Sequence, residues 1–235
     1  MATLYIVATP IGNLEDITLR AIRILKEVDT IVCEDTRVTK KLLEKYLDAP
    51  KRVLSFHAHS NDRKVEELIA LLSEGKSVAL VTDAGTPGVS DPGSRLVAAV
   101  RKSLGSLASK SEEIQIVPIP GASAITAALS VAGIEASAFT FLGFLPHKKG
   151  RETLFKEIVS SERTMIFYES SHRILKTIER LAELLDEKRN VVIARELTKK
   201  FEQIISGSPA EVLEKLKSSP DHERGEFVVL VSPLV

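Results

Sequence analysis

Four short stretches of this chain put polar and conformationally special residues directly after apolar runs. They are Thr9-Pro-Ile-Gly-Asn13, Glu34-Asp-Thr-Arg37, Asp83-Ala-Gly-Thr-Pro-Gly-Val-Ser-Asp-Pro-Gly93 and Pro118-Ile-Pro-Gly-Ala-Ser123. The first, third and fourth carry Gly and Pro, which let a backbone approach a ligand closely in a fixed conformation. The second carries two carboxylates and a guanidinium. Together they suit a pocket for a polar ligand held largely by backbone groups. The third is the most informative. An ordinary strand-to-helix connection takes about 2–6 residues, and the segment 83–93 is longer than that. It is too polar for a core and too rich in fixed backbone angles for a floppy linker. In an alternating α/β chain, a loop at the carboxyl end of a strand is where ligands sit.

Other chemistries find no support. There is no Gly-x-x-x-x-Gly-Lys-Ser/Thr phosphate loop, no Gly-x-Gly-x-x-Gly fingerprint and no Gly-x-Ser-x-Gly elbow. His57 and His59 share a face of a strand end, but a third ligand at a sensible spacing is missing, so no metal is expected. Cys33, the single cysteine, lies in the apolar run Ile31-Val-Cys33 and reads as a small core residue. One cysteine excludes an internal disulfide, and no signal peptide is evident at Met1–Ala8, which favours a reduced, cytoplasmic setting. Net charge is zero and the sequence pI about 7.0, which argues against a generally basic nucleic-acid binder. Locally basic stretches remain at Lys40, Lys41, Lys45, Lys51 and Arg52; at His147, Lys148, Lys149 and Arg151; and at Lys199 and Lys200. Each alone reads as a solvated face, yet local patches suffice for binding.

The elements that must position these loops alternate. Short apolar runs rich in Val and Ile predict strands over 4–8, 30–33, 53–56, 77–82 and 114–119, with helices between them. Near-continuous apolar strands suit a sheet covered on both faces. Residues 62–74 form the clearest helix: Val65, Leu68, Ile69 and Leu72 share one face, Asn61 is an N-cap, and Gly75 falls where a left-handed C-cap is wanted. The first half thus reads βαβαβαβαβ, a mainly parallel sheet. The second half predicts helices over 122–131, 151–160 and 173–185, and strands over 139–142, 164–168, 191–196, 201–205 and 227–231. Ser208-Pro-Ala-Glu211 opens a last helix with a capping box and Pro at its first position. This half reads as a mixed sheet. Residues 102–113, rich in Ser and Lys, read as an exposed loop. A chain of 235 residues with 44% hydrophobic content suits two α/β domains, placed at 1–118 and 119–235. No apolar run reaches the roughly 18 residues of a membrane span.

Several motifs, in order along nearly the whole chain, then carry a family resemblance. They are Val7-Ala-Thr-Pro-Ile-Gly-Asn-Leu-Glu-Asp-Ile-Thr18, Cys33-Glu-Asp-Thr-Arg37, the segment 83–93, Pro118-Ile-Pro-Gly-Ala-Ser-Ala124, Gly143-Phe-Leu-Pro146, Phe167-Tyr-Glu-Ser170 with His172 and Arg173, and Ala194-Arg-Glu-Leu-Thr-Lys199. The chain resembles the tetrapyrrole-methylase superfamily of S-adenosylmethionine-dependent methyltransferases. It is most similar to the branch that methylates the ribose 2′-hydroxyl of a cytidine in small-subunit (16S) ribosomal RNA. The branch usually carries Pro where Ala122 and Ser171 stand, a shorter segment than 102–113, and a carboxyl-terminal extension beyond the present last residue.

The resemblance implies two α/β domains with S-adenosylmethionine in the interdomain cleft, a homodimer, the 16S RNA or small ribosomal subunit as partner, and neither membrane nor metal. It implies cofactor contacts from Pro10, Ile11, Asp83, Thr86, Val89, Ser123, Ala124, Tyr168 and Ala194. A ribose hydroxyl is a weak nucleophile and gains from a general base. Asp35 is the first candidate, held by Arg37, with Glu34, Glu169 and Glu196 behind it. The alternative for 34–37 is a helix N-cap with a local ion pair. Lys148, Lys149, Arg195 and Lys199 are the candidates for RNA phosphates. Two rivals stand beside this expectation: a precorrin methylase, and a non-catalytic adenosylmethionine- or RNA-binding module.

Overall fold

The computed structural model describes residues 2–106 and 114–234, in two compact units, Met1–Ser123 and Ala124–Val235.

The first unit is a five-stranded, all-parallel sheet of β1 (Thr3–Val7), β2 (Thr30–Cys33), β3 (Arg52–Ser55), β4 (Val78–Leu80) and β5 (Gln115–Ile119), in the order β3-β2-β4-β1-β5. Four helices make the crossovers: α1 (Leu19–Glu27), α2 (Thr36–Tyr46), α3 (Asp62–Ser73) and α4 (Gly93–Ser106). From β1 to β3 the chain steps toward one edge, and from β3 to β5 it steps back past β1 toward the other. Right-handed crossovers in opposite directions must lie on opposite faces. The core shows this directly. Ile24, Leu25, Leu42 and Leu43 of α1 and α2 pack with Ile31, Cys33, Ala79 and Val81. Leu68, Leu72, Leu96 and Val100 of α3 and α4 pack with Leu4, Val32, Val78 and Leu80. Alternate residues of each strand thus feed two cores, as uniformly apolar strands require.

Local signals agree with these elements. Asn61 caps α3 by accepting from the Lys64 N–H, and Gly75 ends it at φ 81°. The expectation for 102–113 needs correction. Residues 102–106 continue α4, because Leu96 and Val100 bury one face of that helix and propagation costs less than nucleation. The remainder of that segment, 107–113, lies outside the described residues.

The second unit is a mixed sheet of β6 (Phe139–Phe144), β7 (Thr164–Ser170), β8 (Val191–Arg195), β9 (Gln203–Gly207) and β10 (Glu226–Val231), in the order β6-β7-β10-β8-β9. Only β6 and β7 are parallel; the other pairs are antiparallel. Its helices are α5 (Ala124–Ala132), α6 (Arg151–Ser160), α7 (Ile174–Leu184) and α8 (Pro209–Lys217). Phe155, Ile158, Ile174, Ile178, Leu181, Val212 and Leu216 from α6, α7 and α8 close one core with Phe167, Ile193 and Val229. The capping box at Ser208 and Glu211 is present. The strand expected over 201–205 begins two residues later, at Gln203, because Thr198 to Phe201 form the turn that brings the chain back beside β8. Among the described residues no helix is long and apolar enough to cross a membrane.

Candidate active site

Strands β2, β4, β1 and β5 are consecutive neighbours, so the four polar loops emerge side by side at the same edge of the sheet. After β4 the chain crosses to one face; after both its neighbours, β1 and β2, it crosses to the other. A crevice therefore opens on each side of β4, and its loop, 83–93, stands between them.

The loops are tied mainly through backbone. Thr9 and Gly85 exchange both amide hydrogen bonds, at 2.9 and 3.1 Å, and the Thr9 hydroxyl donates to the Thr82 carbonyl at 3.0 Å. Gly85 sits at φ 83°, where a side chain is strained, and a Cβ there would stand 3.5 Å from the Ile11 side chain. The Thr86 hydroxyl donates to the Ala122 carbonyl at 3.4 Å. At Gly121 a Cβ would come within 3.0 Å of the Ala8 Cβ, so only glycine lets these two strand ends approach unhindered. The Asp91 carboxylate folds the long loop on itself by accepting from the Gly88 and Gly93 amides. The Asp83 carboxylate accepts from the Asp35 N–H at 3.0 Å, which ties in the charged loop. Pro10, Ile11, Asp83, Thr86 and Ser123 thus share one rim. Val89 lies on it too, its amide turned back to the Thr86 carbonyl.

Two adjacent carboxylates on this rim differ sharply. Asp35 is the N-cap of α2 and receives Arg37 through its backbone N–H (2.8 Å), its Nε (3.1 Å) and a terminal nitrogen (2.6 Å). The Arg37 side chain, and then its backbone amide, hold the Asp35 carboxyl down at about 2. A group so weakly basic is a poor acceptor for a hydroxyl proton. The arrangement matches the cap with a local ion pair, and it makes Asp35 less basic than a free carboxylate. Glu34 is half-buried and carries no ion pair among the described residues. Burial raises its pKa, and the neighbouring Asp83 and Asp91 charges add to that.

In the second unit three of the candidates lie in the interior. Glu169 is 1% exposed, and both its oxygens are occupied: Arg173 at 2.8 Å and the Ser170 N–H on one, Thr177 at 2.8 Å and Arg151 at 3.3 Å on the other. It is an internal anchor with no oxygen left for a substrate proton. Arg195 is buried, and its guanidinium donates to the carbonyls of Arg224 and Phe201. Ala194 is fully buried, with Val228 and Ile204 paired on either side, so it offers no surface to a ligand. Position in the sheet explains all three: β7 and β8 are interior strands, and every residue of β8 is buried, so the adjacent Ala194 and Arg195 are covered on opposite faces.

Glu196 is drawn two ways. Burial opposes its charge, but Lys199 and the Glu226 amide outweigh that and lower its pKa. Lys199, likewise opposed by burial, is raised by Glu196 and Glu226, at 2.8 Å from each. Lys199 is thus engaged by two carboxylates, whereas Lys148 and Lys149 are exposed. Tyr168 is half-buried, edge-on to Phe141 at 5.0 Å, and burial raises its phenol pKa. Ala124 opens α5. Sequence reasoning missed Thr9, whose type and place before Pro10 do not disclose its two long-range bonds. It missed Asp91 as a loop clasp, though an Asp before Pro-Gly is a turn signal.

The rim fits a nucleoside-like cofactor such as S-adenosylmethionine. It offers backbone groups at left-handed glycines, a half-buried apolar Ile11 and a Thr hydroxyl, and among the described residues no cluster of cations that would select a polyphosphate lies on it. Cys33 is sealed in the core and burial raises its thiol pKa. Among the described residues no three His, Cys, Asp or Glu side chains converge as metal ligands.

An open parallel sheet with a loop-built rim, joined in one chain to a mixed sheet, defines a two-domain α/β protein of the corrin-methylase type. The sequence profile of the Tetrapyrrole (Corrin/Porphyrin) Methylases matches residues 3–213, and the chain belongs to this family. It is 45% identical over 229 residues to the ribosomal RNA small subunit methyltransferase I of Escherichia coli O157:H7, covering 97% of this chain and 77% of that one. It is 44% identical over 232 residues to the protein of the same name in Neisseria meningitidis serogroup B, covering 98% and 76%. Among solved structures, cobalt precorrin-4 methyltransferase superposes with a TM-score of 0.64 at 19% identity, covering 98% of this chain and 94% of that one. The Thermus thermophilus uroporphyrin-III C-methyltransferase, complexed with S-adenosyl homocysteine, gives 0.64 at 18%, covering 98% and 97%. At these identities the structural likeness speaks for the fold.

Proposed function

We propose that this protein transfers a methyl group from S-adenosylmethionine to the ribose 2′-hydroxyl of a cytidine in small-subunit ribosomal RNA. The observation that carries this reading is the pattern of similarity. Identity of 44–45% runs through both units to proteins named for small-subunit ribosomal RNA methylation, whereas the corrin and porphyrin enzymes share the fold at 18–19%. That contrast favours an RNA substrate over a precorrin. A cytoplasmic homodimer is part of the same reading.

The bound cofactor supplies an electrophilic sulfonium methyl. The residues of this chain supply position and a proton acceptor. Pro10, Ile11, Thr86, Val89 and Ser123 present a backbone-built rim whose cross-ties, Thr9 to Gly85 and Thr86 to Ala122, hold it rigid. Fixed geometry is a large lever for a bimolecular transfer. Glu34 is our choice of base. Its raised pKa brings it closer to the hydroxyl it must deprotonate, and it lies on the rim with no ion pair among the described residues. Asp35 and Arg37 form the fixed ion pair beside it.

Incubation with methyl-labelled cofactor and small ribosomal subunits, followed by nuclease mapping, tests the reading. Label on the ribose of one cytidine is expected; label on a base, or none, overturns it. Thr86→Arg, which puts a long cation against the rim, should abolish cofactor binding in calorimetry while the protein stays folded.

A further inference from the structure

We infer that the corner between β6 and α6 is a preformed contact for single-stranded RNA, in which Phe144 stacks one unpaired base and Lys148 and Lys149 take the phosphates beside it. The inference deepens the functional reading above and rests on it.

A single exposed aromatic needs no explanation; this one has a setting. Phe144 ends β6 with 55% of its surface exposed, just after a register irregularity and Gly143 at φ 66°. Its ring is braced by Tyr168 at 5.3 Å. The residues that follow, His147, Lys148 and Lys149, are all exposed. Between ring and lysines the backbone is pinned from below. Arg173 donates to the Leu145 carbonyl at 2.7 Å and Arg151 to the Pro146 carbonyl at 3.1 Å. Both guanidinium groups converge on the buried Glu169 carboxylate. Burying one carboxylate with two guanidiniums gains little net stability over an apolar core. What it gains here is a fixed path for a surface corner. Glu169, unable to act as a base, is thereby a positioning residue for the basic loop.

An aromatic face beside lysines is the arrangement that binds unpaired nucleotides: bases stack on the ring and phosphates meet the ammonium groups. A second copy of this chain fits less well. A two-fold contact sets a patch against itself, which would oppose like charges here, and interface cores are depleted of Lys.

The test is affinity for small-subunit RNA across a salt series. Phe144→Ala should weaken binding by about fivefold to a hundredfold with the log-log salt slope unchanged, because a stacked ring releases no counterions. Phe144→Trp should restore it. Joint Lys148→Ala and Lys149→Ala should flatten the slope by roughly 0.7 to 0.9 for each phosphate no longer neutralised. Glu169→Gln should mimic the lysine pair, and add nothing when combined with it, while cofactor affinity stays at the parent value. Should Glu169→Gln not fold, Arg173→Lys takes its place, keeping the charge but losing the forked reach to Leu145. Parent-like RNA affinity in Phe144→Ala overturns the inference, above all if that variant alters oligomeric state in sedimentation, which would give the ring to a contact between copies. So does a Glu169→Gln effect of equal size with and without the lysines. A parent protein that neither binds nor methylates small subunits would overturn the functional reading instead.

Discussion

The rim of the first unit and the β6–α6 corner of the second solve the same problem, holding a surface loop still, by different means. The rim is tied largely by neutral bonds: Thr9 to Gly85, Thr86 to Ala122, and glycines where strand ends meet. Among the described residues its one ion pair, Asp35 with Arg37, is local to a helix start. The corner is held by a buried carboxylate gripping two arginines, which in turn grip two carbonyls. A neutral tie can be loosened by one residue at modest cost. A buried ionic hub fails as a whole, because removing one partner strands the others' charge. A rim tied through its backbone offers amides and carbonyls to a nucleoside-like ligand and keeps its acids, Glu34, Asp83 and Asp91, close together. The ionic hub frees the exposed lysines from any structural duty.

The largest expected effect strikes the hub. Glu169→Ala should cost about 3–5 kcal/mol of stability, read as a lowered midpoint in urea or on heating; a loss below about 1 kcal/mol would show that the hub is no hub. Next is the rim's chemistry. Glu34→Gln should slow turnover by about a hundredfold with cofactor affinity kept. In the parent, the acid limb of kcat/KM should fall above the ordinary glutamate value, since a raised pKa must be exceeded before the base is free. An acid limb at or below 4.5 would discard Glu34.

A smaller effect is expected from a single neutral tie. Gly85→Ala forces a side chain into the left-handed region and should cost about 1–2 kcal/mol, with weaker cofactor binding. Space for the methyl is ordinary, so the backbone angle alone sets that figure. Asp35→Asn should do least. Asn keeps the helix cap and loses only an exposed ion pair, so turnover should shift no more than a few-fold. The sign of its pH dependence is fixed. The folded pKa, about 2, lies below the ordinary 3.8, so the pair's contribution is full above 3.8 and lost as pH falls toward 2. Unfolding curves of parent and variant should therefore converge in that window. A hundredfold loss of turnover in Asp35→Asn would return the base to Asp35 and break the contrast with Glu34.

The sequence by itself determined the elements and the row of loops. Apolar runs of Val and Ile mark β1 to β5, and amphipathic spacing marks α3. Gly-Pro-rich stretches after β1, β4 and β5 announce loops of fixed shape. Those are local properties: backbone angle, periodicity, capping. What only the tertiary structure decided is which polar side chains are free. Asp35 and Glu34 are neighbours of nearly equal chemistry in the sequence, yet Arg37 folds back on one and burial among acids acts on the other. Glu169, Arg195 and Ala194 sit in motifs that look functional, but their place in interior strands covered on both faces and distant partners (Arg151, Thr177, Phe201, Arg224) draw them into the interior. Phe144 belongs to a family motif, Gly143-Phe-Leu-Pro146, but only the pinned corner shows that its ring is left exposed. Availability of a charge depends on what lies within a few ångströms of it, and in a parallel or mixed sheet those neighbours come from far along the chain.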